Sequence, residues 1–196
     1  MSNDLKLLLA DIRKCTTCAN FLPLGPNPVV DAHQDSKILI IGQAPGTKVH
    51  QSGIPWDDAS GKRLRSWMSI DNEVFYDSSK IAIVPMGFCY PGRGKGGDLP
   101  PRKECAPLWH QRLLDSLPKI QLILLIGQYA QKYYLKEKRK KTLTETVKSF
   151  EEYAPKYFPL VHPSPRNQIW MKKNDWFEKE VVPELQKRVK LALQND

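Results

Sequence analysis

Four short apolar runs, each stopped by a residue that interrupts regular structure, constrain this chain more than any other feature. Lys37-Ile-Leu-Ile-Ile41 stops at Gly42, Ile81-Ala-Ile-Val84 at Pro85, Leu122-Ile-Leu-Leu-Ile126 at Gly127, and Tyr157-Phe-Pro-Leu-Val161 at His162. The runs are continuous rather than alternating, so both faces of each strand are apolar, as in a parallel sheet covered on both sides. Helical stretches are predicted between and around them: Ser60 to Met68, Ala106 to Leu117, Gln128 to Leu135 and Thr142 to Tyr153. The last opens with Thr142-x-x-Glu145, a capping-box signature. Leu5, Leu8, Leu9 and Ile12 share one face of an N-terminal helix, and a C-terminal helix is expected from about Asn174, kinked or broken at Pro183. The expected fold is an α/β, three-layer α/β/α sandwich around a small, mainly parallel four-stranded sheet. With 196 residues, 41% of them hydrophobic, a single domain spanning 1–196 is the expectation.

Ligands of such sheets collect beyond the carboxyl ends of the strands. Here those ends carry Gly42-Gln-Ala-Pro-Gly46, Pro85-Met-Gly-Phe-Cys89, Gly127-Gln128 and His162-Pro-Ser-Pro-Arg-Asn167. The richest loop, Tyr90 to Arg102, is full of glycine but lacks the spacing and the Lys-Ser/Thr ending of a phosphate-binding loop. It is expected to span two metal ligands and to turn Arg93, Lys95 and Arg102 toward a nucleic-acid backbone.

All four cysteines fall into one pattern, Cys15-x2-Cys18 and Cys89-x15-Cys105. Thiolates are soft ligands for zinc or iron–sulfur clusters, and this set supplies the four that either needs. The wide second spacing suits a [4Fe–4S] cluster better than zinc, with four unliganded thiols as the remaining alternative. Thirty Lys and Arg against 21 Asp and Glu leave a charge of +9, favouring a polyanionic partner such as DNA unless it reflects solubility alone. The start has no basic segment followed by a long apolar run, and no 18 consecutive apolar residues occur. A soluble, cytoplasmic protein in a reducing compartment, without a membrane partner, is expected, and a monomer.

Gly42-Gln-Ala-Pro-Gly46, Pro55-Trp56 with Ser60-Gly61, the cysteine spacing and His162-Pro-Ser-Pro165 together resemble the uracil-DNA glycosylase superfamily, most of all its iron–sulfur branch, family 4. The string from His162 to Asn167 also resembles the second motif of the single-strand-selective monofunctional branch. The resemblance implies hydrolysis of an N-glycosidic bond in DNA during base excision repair. Such chemistry expels the base as an anion, so a donor must stabilise charge on the leaving pyrimidine. His162 matches the residue that does so. Gly42, Gln43 and Ala44 match the motif whose backbone amides approach the flipped base, and Trp56 matches a stacking aromatic; alternatively Trp56 is core. Asp58 matches a catalytic aspartate of the family 5 relatives, with the charge of a helix N-terminus as its other reading.

The resemblance places Ser164, Pro165 and Arg166 against DNA; Lys62, Arg63 and Arg65 follow the stacking segment at a helix N-terminus suited to phosphate, and the run from Lys136 to Lys141 is read as a solvated loop. The same resemblance makes the cluster structural, held by Cys15, Cys18, Cys89 and Cys105. One departure concerns substrate choice: Pro85 stands where family 4 has an asparagine that reads the uracil edge. Selectivity would then fall to backbone amides around Gln43 and Gly87, or the pocket would accept other deaminated bases. No motif contains a lysine, and the basic insert of covalently trapping relatives is absent, so monofunctional hydrolysis is expected. A non-catalytic nucleic-acid-binding protein on the same fold is the alternative.

Overall fold

A computed structural model describes residues 3–194. Four strands, β1 (Ile38–Ile41), β2 (Ile81–Ile83), β5 (Leu122–Ile126) and β6 (Tyr157–Leu160), form one sheet in the order β2-β1-β5-β6. Every pairing in it is parallel, with Ile38 opposite both Ile81 and Leu122, and Ile126 opposite Leu160. Two further strands, β3 (Arg93–Gly94) and β4 (Gly97–Asp98), make a small separate hairpin inside the glycine-rich loop.

Because successive side chains point to opposite faces, each run feeds two cores. Leu39, Ile41, Ala82, Val84, Ile123 and Leu125 pack with Leu5, Leu8, Leu9, Ile12, Trp109, Leu113 and Ala130. These belong to α1 (Asn3–Arg13), α5 (Cys105–Asp115) and α6 (Gln128–Leu135). Ile38, Ile40, Ile83, Leu124, Phe158 and Leu160 pack on the other side with Leu64, Phe75, Val147, Leu185 and Val189. That layer is α3 (Ala59–Met68), α4 (Asn72–Tyr76), α7 (Leu143–Lys148) and α9 (Val182–Gln194). Two short helices at strand ends, α2 (Thr47–Ser52) and α8 (Gln168–Lys173), complete the set. The three-layer α/β/α sandwich is thus present. No helix among the described residues is long and apolar enough to cross a membrane.

Several local expectations shift. The stretch from Thr142 to Tyr153 opens with the capping box, Glu145 N donating to Thr142 Oγ1 at 3.1 Å and Thr142 N to Glu145 Oε2 at 2.9 Å. It does not run on as one helix: α7 ends at Lys148 and a 3₁₀ turn, Phe150–Tyr153, follows and buries Phe150 and Tyr153. Pro183 breaks nothing. A wider π-helical turn, Phe177–Val181, precedes it and gives the proline ring room inside a continuing helix. Lys140 is not simply solvated either, since its Nζ lies 2.6 Å from Glu152 Oε2.

His110, buried on α5, sits between Pro85 O at 3.0 Å and Tyr134 Oη at 2.6 Å. A carbonyl only accepts, so Nε2–H donates to Pro85 and Nδ1 accepts from the tyrosine hydroxyl. Burial lowers the imidazole pKa to about 4, against the opposing pull of the Pro85 carbonyl. Between that value and the ordinary 6.5, the unfolded chain holds a proton that the folded chain refuses, so stability falls as the pH drops through this window. The loss by pH 4 is expected to reach at most about 3 kcal/mol. Urea unfolding at a series of pH values will read it, and His110→Gln, which keeps a donor for Pro85 without titrating, is expected to flatten most of the decline.

Candidate active site

The carboxyl ends of β1, β2 and β6 surround a cavity of about 320 Å³, large enough for a small ligand. Gly42 to Gly46 line it from β1, Ile83 and Pro85 from β2, and His162, Ser164, Pro165 and Arg166 from beyond β6. β5 ends between them at Gly127, whose φ of +83° turns the chain into α6, and neither Gly127 nor Gln128 reaches the lining. Trp56, Asp58 and Ser60 close one side and Asp98 of the hairpin another.

Trp56 is held in an unusual backbone conformation. Its φ is +58°, in the left-handed region that costs a bulky residue about 1–3 kcal/mol. Two glycines make room for it: a Cβ on Gly42 would lie 2.8 Å from the Trp56 ring, and one on Gly61 only 1.8 Å from the Trp56 carbonyl oxygen. Arg65 fastens the same carbonyl with Nη1 at 3.4 Å, reaches Tyr76 Oη at 3.3 Å, and lies over the Phe75 and Tyr76 rings. The indole then meets His162, ring centroids 5.7 Å apart and planes at 31°. Trp56 is therefore both partly packed and a wall of the cavity.

His162 is partly buried, and burial lowers its pKa while the charges of Asp58 and Asp98 oppose the shift. The imidazole is accordingly neutral at neutral pH, with one N–H free to donate. Its loop is tied down: Asn167 Nδ2 donates to His162 O at 2.8 Å, Arg166 N to Ser164 Oγ at 3.3 Å, and Arg63 Nη1 to Ser164 O at 3.0 Å. Arg63 thus braces the loop, whereas Lys62 beside it is exposed. Asp58 caps α3, with Oδ1 accepting from Gly61 N at 2.8 Å, so a carboxylate already occupies the helix N-terminus that had looked ready for a phosphate. The helix-terminus reading of Asp58 is thus met by the cap, and the same residue lines the cavity.

Gln43 is oriented by its own side chain, Nε2 donating to Leu99 O at 3.0 Å. Ala44 lies beside it in the lining. Gly87, expected at the substrate, is elsewhere. Its N–H donates to Gln43 O at 3.0 Å and it lines the cavity of the cysteines instead. Pro85 does line the cavity at the strand ends, and its carbonyl accepts from His110.

All four cysteines are free thiols on one small second cavity, with Leu22, Gly87, Phe88 and Arg102 around them. Burial raises Cys105 to about 12 and Cys89 to about 11, and each is raised further by Cys15 and Cys18, which places the four within electrostatic reach of one another. Thiols held this high ionise only beside strong positive charge, which a metal centre supplies. Among the described residues no group of three or more Cys, His, Asp or Glu is arranged to hold a single metal ion. Arg102 does not face outward to a nucleic acid. Its Nη2 lies 2.7 Å from Glu104 Oε1 and its guanidinium covers Phe21, beside Cys18.

The sequence gives no sign of Asp98 in the cavity lining, and Arg65, expected beside a phosphate, holds the Trp56 carbonyl. Asp98 sits in a loop whose glycines drew attention first, and Arg65 was visible only as one of three basic residues on α3.

The strand ends of a parallel α/β sandwich thus bring a partly buried histidine, an aromatic wall and a Gly-Pro turn around one cavity. A sequence profile of the uracil DNA glycosylase superfamily matches residues 29–186, and the chain belongs to that superfamily, whose members are DNA glycosylases. It is 23% identical over 141 residues to a type-4 uracil-DNA glycosylase of Sulfurisphaera tokodaii, covering 68% of this chain and 62% of that protein. A solution NMR structure from Methanosarcina acetivorans, described as a candidate uracil DNA glycosylase, covers 80% of this chain and 93% of its own, at 16% identity and a TM-score of 0.45.

The contact of Gly61 with the Trp56 backbone leads to a direct expectation. Gly61→Ala must displace backbone rather than a side-chain tip, and is expected to cost about 1–3 kcal/mol in urea unfolding.

Proposed function

We propose that this chain is a monofunctional DNA glycosylase that hydrolyses the N-glycosidic bond of uracil, or of a related deaminated base, in base excision repair. One observation carries the reading: His162 and Trp56 lie side by side, ring centroids 5.7 Å apart, in the lining of a cavity bounded by the Gly42–Gly46 turn. A base turned out of DNA slides against the indole, as flipped bases do against aromatic side chains. As the glycosidic bond breaks, its electron pair leaves with the base, and the neutral His162 donates its N–H to the oxygen on which that charge collects. Water adds to the sugar carbon, and no covalent enzyme intermediate is needed because no lysine lines the cavity among the described residues. Arg166, exposed at the rim, and Lys62 meet the phosphates.

Pro85 offers no donor or acceptor to a base edge, so the choice among deaminated bases rests on the rest of the cavity. The same absence favours a second reading, a non-catalytic nucleic-acid-binding protein on this fold. Incubation with single- and double-stranded oligonucleotides carrying uracil, hypoxanthine or xanthine, followed by alkaline cleavage, separates the two. Strand breaks at the modified base are expected; none with any of the three would leave only the binding protein. His162→Ala is expected to lower the rate by roughly 100- to 1,000-fold with little change in DNA affinity.

The four thiols suit a [4Fe–4S] cluster as a soft set of four donors gathered on one cavity, with zinc as the alternative. Cys15 and Cys18 after α1, with Cys89 and Cys105 on the two flanks of the hairpin loop, would hold the group, which would supply a structural tie between these segments. Cys105→Ser is expected to lose iron and visible absorbance and to lower the melting temperature; protein with stoichiometric zinc and no colour would overturn the assignment.

A further inference from the structure

Two carboxylates share the cavity with His162, and they are placed differently. Asp58 is partly buried, and its Oδ1 is held by the Gly61 N–H beside the Trp56 wall. Asp98 is exposed, on the second strand of the hairpin, and takes no side-chain hydrogen bond or ion pair among the described residues. Its Oδ2 lies 3.5 Å from the point where a Cβ on Gly46 would stand, so the carboxylate overhangs the turn that follows β1. Arg93 is directly across the hairpin, and Arg166 Nη1 passes 2.9 Å from the Cβ position of Gly97, yet neither pairs with it. The absence of a side chain at Gly97, where φ is +145°, lets the hairpin and the His162 loop meet over the cavity.

A flipped nucleotide enters base first. The base lies deepest, against Trp56 and His162, while the sugar stays toward the mouth, where Asp98 and Arg166 are. Water must reach the sugar carbon on the side away from the departing base, and a carboxylate at the mouth is placed to orient it.

We propose that Asp98 is the catalytic carboxylate of this site, and that Asp58 keeps a structural role as the cap of α3. The assignment rests on the glycosylase reading above. The water oxygen forms the new C–O bond as the bond from sugar to base breaks with its electron pair on the base. The water proton passes to the Asp98 carboxylate, then through solvent to the released base anion, so that the products are free base and an abasic sugar.

The experiment compares wild type, Asp98→Asn and Asp58→Asn in single-turnover base release from the uracil, hypoxanthine and xanthine oligonucleotides, with affinity for each measured alongside. Asparagine caps a helix about as well as aspartate, so Asp58→Asn removes charge while keeping the cap. Asp98→Asn is expected to slow release by about 100-fold or more, with affinity within about three-fold and thermal unfolding unchanged. Asp58→Asn is expected to lose less. Release by Asp98→Asn within about three-fold of wild type, or a larger loss for Asp58→Asn, overturns the assignment while leaving the glycosylase reading intact. A wild type that releases none of the bases overturns both.

Discussion

The pairing of β1 with β5 at the centre of the sheet is the constraint on which the rest depends. Both strands are buried along their whole length on both faces, and each residue of β1 has a register partner in β5. Backbone groups in such a place must be bonded within the sheet, because no water reaches them. The layers on either side follow from it, since every second residue of these strands feeds one core and the residues between feed the other. Gly42 and Gly127 then end the two strands, and the cavity lies beyond the end of β1, flanked by the ends of β2 and β6.

Local strain is concentrated at one edge of that space. The left-handed backbone at Trp56 is tolerated because Gly42 and Gly61 remove the side chains that would collide with it, and because Arg65 holds its carbonyl. Strain supported by surrounding structure in this way keeps a wall of the site in place before any ligand arrives. The indole is therefore set against His162 by contacts made mostly on the side away from the cavity.

The cysteine cavity and the cavity at the strand ends are separate but adjoining. Gly87 lines the first and donates to Gln43 in the lining of the second, while Phe88 N donates to Cys105 Sγ at 3.4 Å. Pro85 is fixed from behind by His110 and Tyr134. The segment from Pro85 to Cys89 thus joins the two cavities.

The sheet, its parallel sense and the helices that cover it were legible in the chain because burial on both faces leaves continuous apolar runs, and because caps such as Thr142 and Glu145 act over three residues. The strand-end motifs were legible for the same reason: a turn that must be sharp needs Gly and Pro in sequence. What the chain alone did not decide was the assignment of polar groups brought together from distant segments. Arg63, Arg65, Arg102 and Asp98 are ordinary charged residues until folding sets their partners, and Gly87 differs from a substrate contact only in which neighbour takes its N–H. Hydrophobic pattern is a property of consecutive residues and can be read in one dimension. The pairing of charges and hydrogen bonds depends on distances that only the packed layers determine.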